Sequence, residues 1–224
     1  MERVYDRAVT ILEEIEILKA NLKINDLSVM AVTKNQPVEK IEQARKAGFR
    51  LFGENRVQEF LSKEDYFKTN NLEVHLIGHL QTNKVKLAVG RFTVIESVDS
   101  ISIANAIDKE AKKQNIVQDI YLEVNIGNEE NKYGFSKDEL LKAVEIIKDL
   151  TSVRVCGLMA IPPITTNEEI REYFSLMKAL FIDIINKKID NIYMNVLSIG
   201  MSSDYIIAIE EGSRLVRIGT AIFG

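Results

Sequence analysis

Cysteine is almost missing from this sequence: Cys156 stands alone among 224 residues. An intramolecular disulfide is therefore excluded, and the usage fits a reducing compartment. Proline is scarce, with three residues. No Pro/Gly/Ser-rich linker or low-complexity segment divides the chain, so a single domain over 1–224 is expected. No apolar stretch approaches the ~18 residues needed to cross a bilayer. The N-terminus, Met1-Glu2-Arg3-Val4-Tyr5-Asp6, has no signal-peptide pattern. A cytoplasmic protein with no membrane contact is the expectation. Net charge is −4, without a polybasic block, which argues against a nucleic-acid partner. There is no G-x-G-x-x-G to mark a dinucleotide site and no H-E-x-x-H to mark a metal site. His75 and His79 are four apart, but on a strand that spacing separates them by about 13 Å, and no metal is expected.

What the chain does have is alternation. Hydrophobic residues make up 46% and charged residues 28%, enough for a full core. Residues 3–23 carry Val4, Ala8, Ile11, Leu12, Ile15, Leu18 and Leu22 at helical spacing. Val29-Met30-Ala31-Val32-Thr33-Lys34 then reads as a buried parallel strand that ends in a lysine. Pro37 suits the first position of a second helix and Gly48 its end. Strands are expected at 50–52, 74–77, 92–97, 119–126, 153–161, 193–199 and 214–218. Helices are expected between them, over 57–63, 81–89, from Asp99 or Ser100 to 113, from Ser136, over 167–187, and from Ser202, Ser203 or Asp204 to just before Gly212. Ser136 with Glu139 has the spacing of a capping box. Eight β/α units in this length predict a (β/α)8 TIM barrel, with an open doubly wound sheet as the alternative. The sequence stops at Gly224, just after the eighth strand, so helix 3–23 is expected to cover the seam between the last strand and the first.

In such a barrel, chemistry sits at the C-terminal ends of the strands. The polar residues there include Lys34, Asn55, His79, Ser97, Asn125, Ser198, Ser202 and Arg217, with Met159, Gly200, Met201, Gly219 and Thr220 beside them. Phosphate sites of this fold lie after strands seven and eight. Free amides at Ser202-Ser203-Asp204 and at Gly219-Thr220 suit a phosphate monoester. A lysine facing that site points to a covalent bond with an aldehyde that carries a phosphate. Buried surroundings would lower its pKa and supply the neutral, nucleophilic amine. Arg217 can only donate, so at a pyridine nitrogen it would keep that nitrogen unprotonated. Each residue also has a plain structural reading. Lys34 suits a solvated loop, Arg217 an ion pair with Glu54 or Glu123, Cys156 and the methionines packing, Asn55 and Asn125 loop closure, and Asp204 an N-cap.

Seven stretches then match one family in order. They are Ala31-Val32-Thr33-Lys34, Phe52-Gly53-Glu54-Asn55, and Ile77-Gly78-His79-Leu80-Gln81 with Asn83-Lys84. Val124-Asn125-Ile126 follows with Glu129-Glu130, Lys132 and Gly134, and then Gly157-Leu158-Met159 with Ile161-Pro162-Pro163. Gly200-Met201-Ser202 with Asp204, and Val216 to Gly224, complete the set. The sequence resembles the pyridoxal-phosphate homeostasis protein family, whose fold is similar to the barrel domain of alanine racemase without its second domain. The resemblance implies pyridoxal 5′-phosphate (PLP) as cofactor, held as an internal aldimine on Lys34. It puts the phosphate on Ser198, Gly200, Ser202, Gly219 and Thr220 and the ring nitrogen at Arg217. Asn55, His79, Met159 and Met201 complete the pocket. Gln36 departs from the family, which often has a second lysine at that position, and Arg56 and Ile199 also differ from the usual residues.

The function implied is to hold, buffer or deliver PLP, with apo-enzymes as recipients and a monomer as the working form. No catalytic turnover is expected. Two alternatives stand beside it. One is a PLP-dependent amino-acid racemase, which needs an acid/base on each face of the ring; this sequence has no residues left for the second domain that helps supply them in alanine racemase. The other is a PLP-free barrel enzyme acting on a sugar phosphate.

Overall fold

Apolar runs bounded by turn residues become strands covered on both faces, as they do in parallel sheets. The structure is a computed structural model that describes residues 4–224. Its strands are β1 (Ser28–Val32), β2 (Leu51–Glu54), β3 (Glu73–Leu76), β4 (Val94–Val98), β5 (Gln118–Val124), β6 (Val153–Ala160), β7 (Ile192–Met201) and β8 (Leu215–Ile218). They close in chain order into one barrel. β8 returns parallel to β1, with Ser28 opposite Leu215 and Ala31 opposite Ile218. That pairing decides for the (β/α)8 barrel over the open sheet.

The helices are α1 (Val4–Leu22), α2 (Val38–Ala47), α3 (Val57–Leu61), α4 (Glu64–Thr69), α5 (Val85–Ala88), α6 (Ile101–Gln114), α7 (Lys137–Ile147), α8 (Asn167–Lys187), α9 (Tyr205–Glu210) and α10 (Thr220–Phe223). Side chains set several of their ends. Ser136 and Glu139 form the reciprocal capping box of α7. Ser100 caps α6 by accepting from the Ile103 amide at 3.3 Å, while Asp99 turns to His79. Pro37 is the N-cap of α2, one place before the first helical residue, and Gly48 closes that helix. α1 buries Val4, Ala8, Ile11 and Ile15 and packs along α2 and α10. The Tyr205 hydroxyl, from α9, donates to Glu14 of α1 at 2.8 Å. Arg3, where the expected first helix starts, lies outside the described residues.

Three elements differ from the sequence expectation. The helix at 57–63 stops at Leu61, and α4 follows it, fixed by Phe67. That ring stacks on Phe60 with centroids 6.0 Å apart and tilts against Phe52 at 5.7 Å. The helix at 81–89 is a 3-10 turn, Thr82–Lys84, running into the single turn of α5. A turn of helix, α10, follows β8 where none was expected. The Ser202 hydroxyl accepts from the amides of Gly219 and Ala221 and so holds that turn against β7.

Strand alternation divides the core into two parts. Met30, Val32, Val94, Tyr121, Met159 and Leu215 point into the barrel. Ala31, Phe52, Leu76, Ile95, Ile120, Leu158 and Leu197 belong to the larger core that joins the barrel to its helices. The barrel interior is thus filled, and room for a guest exists only above it.

Candidate cofactor site

At the C-terminal mouth lies a cavity of about 260 Å3. This is just below the ~300–1,000 Å3 range of ligand pockets. Val32 and Lys34 line it from β1, Asn55 from β2, Ile77 from β3 and Ile161 from β6. Met201, Ser202 and Ser203 line it from β7, and Arg217, Gly219 and Thr220 from β8. Of the residues singled out from sequence, Lys34, Asn55, Met201, Ser202, Arg217, Gly219 and Thr220 therefore share one wall. A larger groove of about 840 Å3 runs along the outer faces of α8 and α9. Its Arg171 is already paired with Glu210 and Glu211, and it lies away from the strand ends where this fold does chemistry.

Lys34 continues the inward parity of Met30 and Val32, two residues beyond β1's last inward position. Its two neighbours are pinned. The Thr33 hydroxyl donates to Glu54 Oε1 at 2.6 Å. The Lys63 ammonium donates to the Thr33 carbonyl (3.0 Å), Glu54 Oε1 (2.9 Å) and Glu59 Oε1 (2.7 Å). The Asn35 amide, at φ +57°, donates to the same Glu59 oxygen at 2.5 Å. Glu54 is fully buried, and desolvation raises its pKa while Thr33 and Lys63 pull it back. The sequence left Lys34 either reaching out to water or buried as a neutral amine; it is exposed at the cavity mouth. The clamp turns the chain at Thr33–Asn35, so the side chain leaves the barrel top and does not sink into it.

Arg217 is 3% exposed and forms the cavity floor. Its Nη1 donates to the Ser198 carbonyl at 2.7 Å and to Ser198 Oγ at 2.6 Å, and its Nη2 donates to the Ala160 carbonyl at 2.8 Å. A guanidinium has five N–H groups, so these three bonds leave two without a described protein acceptor. Burial lowers the Arg217 pKa, and the charges of Glu96, Glu123 and Asp204 oppose this. Neither expected ion-pair partner bonds it: Glu54 faces the helices with Lys63, and Glu123 acts only through its charge. Ser198 was expected on the phosphate. Its fully buried hydroxyl instead donates to Glu96 Oε2 at 2.6 Å, and His75 Nδ1 lies 2.6 Å from Glu96 Oε1.

Glu123 has the most perturbed carboxyl near this mouth. Burial first, then the charge of Asp99, raises its pKa to about 7, against the opposing pull of Arg217. An unfolded glutamate titrates near 4.5. The unfolded chain therefore loses this proton first. The stability this group allows is fully present below about pH 4.5, declines between 4.5 and 7, and is level above. Glu123→Gln should remove that decline, worth about 3 kcal/mol. Urea unfolding of wild type and variant across this window checks it, and parallel pH profiles would refute it.

The loops after β7 and β8 face each other. Asp204 begins α9 without a side-chain cap bond; its Oδ1 accepts from the Met201 amide at 2.6 Å. The Gly219 amide, expected to be free, already donates to Ser202 Oγ at 3.1 Å. Among the described residues, the amides of Ser203 and Thr220 have no protein acceptor. A Cβ at Gly219 would stand 3.5 Å from Val32 Cβ, in ordinary contact and inside the cavity wall. Asn55 Oδ1 is buried without a hydrogen-bond partner. These groups fit a small anionic ring compound: one amine, two spare guanidinium donors, spare loop amides and an orphan acceptor around one space.

The remaining sequence candidates lie elsewhere. Met159 is buried beneath the floor with the interior cluster. Gly200, at φ +95°, backs the wall, and a Cβ there would stand 2.5 Å from Ala208 Cβ. His79 lines a neighbouring cavity of about 280 Å3 that shares Asn55. Its Nδ1 lies 2.7 Å from Asp99 Oδ2, and its ring stacks on Tyr133 at 3.7 Å. Asn125 closes its own loop through Glu129. Sequence reasoning missed Glu96, Lys63 and the pairing of His75. A carboxylate in the middle of the strand Val94-Ile95-Glu96-Ser97-Val98 was the available signal, because an unpaired buried charge is costly.

The family model for the N-terminal domain of alanine racemase matches residues 10–224. The pyridoxal phosphate homeostasis protein of Aquifex aeolicus is 43% identical over 201 residues, covering 89% of this chain and 87% of that protein. Its namesake in Haemophilus influenzae is 37% identical over 207 residues, covering 91% and 87%. The chain belongs to the pyridoxal phosphate homeostasis protein family. PipY of Synechococcus elongatus, solved with PLP bound, superposes with TM-score 0.82 at 32% identity, covering 94% of this chain and all of that one. Alanine racemase of Clostridium difficile superposes with TM-score 0.70 at 16% identity over 93% of this chain and 58% of its own. That likeness concerns the barrel alone. Among the described residues, no helix is long and apolar enough to cross a membrane.

Proposed function

We propose that this chain holds PLP at the barrel mouth, covalently through Lys34, and buffers or delivers it. The observation that carries the reading is the convergence of Lys34, Arg217, Asn55, Ser202, Gly219 and Thr220 on one small cavity, in a family whose member PipY binds PLP. When bound, the cofactor supplies an aldehyde carbon for an amine, with a phosphate and a pyridine ring to be held. Lys34 is the amine. The Ser202–Ser203 and Gly219–Thr220 loops take the phosphate, and Arg217 offers its spare N–H groups to the ring nitrogen. Recipients are apo-enzymes that need the same cofactor.

The racemase alternative needs proton carriers on both faces of a substrate carbon. Among the described residues, the cavity wall carries two ionisable groups, Lys34 and Arg217, and arginine only donates. The carrier reading is therefore preferred. Titration of cofactor-free protein with PLP should develop the visible absorption of a lysine-bound pyridoxal, and inorganic phosphate should compete. Substantial interconversion of D- and L-alanine by the loaded protein would instead establish the racemase. Gly219→Val should weaken PLP binding by about tenfold or more, because its side chain would occupy the cavity beside Val32, whose side chain and carbonyl a Cβ there meets only at ordinary contact distances of 3.5–3.9 Å. Unchanged affinity in a folded variant would move the phosphate elsewhere.

A further inference from the structure

We infer that Glu96 and Ser198 are positioning residues for Arg217, fixing which of its N–H groups reach the bound ring. This inference rests on the PLP reading above. Arg217 comes from β8, Ser198 from β7, Glu96 from β4 and His75 from β3, so the chain of bonds crosses the barrel interior. All four are buried, at 3%, 0%, 0% and 5% exposure. The bonds run in one consistent direction. Arg217 Nη1 donates to Ser198 Oγ, the Ser198 hydroxyl donates to Glu96 Oε2, and His75 Nδ1 lies within hydrogen-bond distance of Glu96 Oε1, where an ionised carboxylate makes it the donor. Tyr121 closes the far side, with its ring edge-on to His75 at 6.1 Å and 89°.

Direction is what makes the chain informative. An ionised carboxylate only accepts, so Glu96 can receive from Ser198 and His75 together. Ser198 Oγ can then give its proton away and receive from Arg217. The guanidinium is a rigid planar fork. Holding both N–H groups of Nη1 on Ser198 and one of Nη2 on Ala160 leaves Nε and one N–H of Nη2 for the cavity. The other charges on Arg217, Glu123 of β5 and Asp204 at the start of α9, bear on it without bonding it. Glu96→Gln breaks the direction. With His75 Nδ1–H as donor, its amide oxygen would be needed by His75 and its N–H groups would face Ser198 Oγ; if the oxygen turns to Ser198 instead, His75 must change tautomer, and in either case the charge that orders the chain of bonds is gone. Ser198→Ala removes the link altogether.

The test uses full-length protein loaded with PLP labelled with nitrogen-15 in the ring. In wild type, the ring nitrogen should show the NMR shift of an unprotonated pyridine held by a donor. Glu96→Gln and Ser198→Ala should both move that signal, with PLP affinity falling about tenfold. Ser198→Thr, which keeps the hydroxyl, should restore the wild-type shift. If Glu96→Gln does not fold, the alanine and threonine pair at position 198 decides the matter alone. Variants that fold, carry the cofactor on Lys34 and give the wild-type shift would overturn the inference. Failure of the underlying reading looks different: wild type takes up no PLP, or Arg217→Lys leaves the ring signal where it was.

Discussion

Borohydride treatment of PLP-loaded protein should leave the pyridoxyl group on Lys34, and Lys34→Ala should leave no covalent label. Peptide mapping by mass spectrometry reads both results. The argument is positional. Lys34 is the one lysine in the cavity wall, and its parity with Met30 and Val32 aims it over the barrel mouth. Lys63, nearest to it through the chain of bonds, is 7% exposed and already gives its protons to Thr33, Glu54 and Glu59. Lys132 is paired with Glu129. Lys34→Ala keeps Arg217 and the loop amides, so phosphate-bearing ligands should still bind, but PLP should be held at least about a hundredfold more weakly. Lys34→Arg, which keeps the charge but not the attacking amine, should fail in the same way. A label that moved to another lysine with affinity intact would refute the covalent site.

Lys63→Met should destabilise the protein by about 3–5 kcal/mol, as expected when one partner of a buried ion pair is removed. Glu54 is fully buried and bonds Lys63 at 2.9 Å. Without the ammonium, its carboxylate keeps only the Thr33 hydroxyl as a donor. Burial already raises the Glu54 pKa, and loss of Lys63 would raise it further. The variant should therefore recover stability as the pH falls and Glu54 takes up a proton. Lys63→Met with Glu54→Gln should regain much of the loss, since neither charge is then left alone. Chemical denaturation of the three variants, with wild type as reference, measures this. An effect below 1 kcal/mol for Lys63→Met would show that water reaches the pair. Because Thr33 and Asn35 flank Lys34, the single variant should also slow PLP capture before it unfolds.

The barrel and half of its mouth were legible in the sequence for a simple reason. Period-two apolar runs separated by period-3.6 runs are local signals, and the fold rule says which strand ends matter. Lys34, Asn55, Ser202, Arg217, Gly219 and Thr220 each stand just past a strand or at its last inward position, so they fell on one wall. Met159 and Ser198 show the limit. Alternation tells which face a residue takes but not its depth, and both lie below the cavity. Ser198 found its partner Glu96 across 102 residues of chain, which no local pattern reports. Lys63 and α4 were missed because their partners, Thr33, Glu54 and Phe52, come from other strands.

β8 hydrogen-bonds back to β1, and that closure would matter for a container filled and emptied as proposed above. The cylinder has no open seam. No row of unsatisfied amides waits for a strand from another molecule, so discharge creates no template for fibril growth. A carrier of this shape can idle empty and be recharged, where an open sheet stripped of its ligand would need a guard along each border.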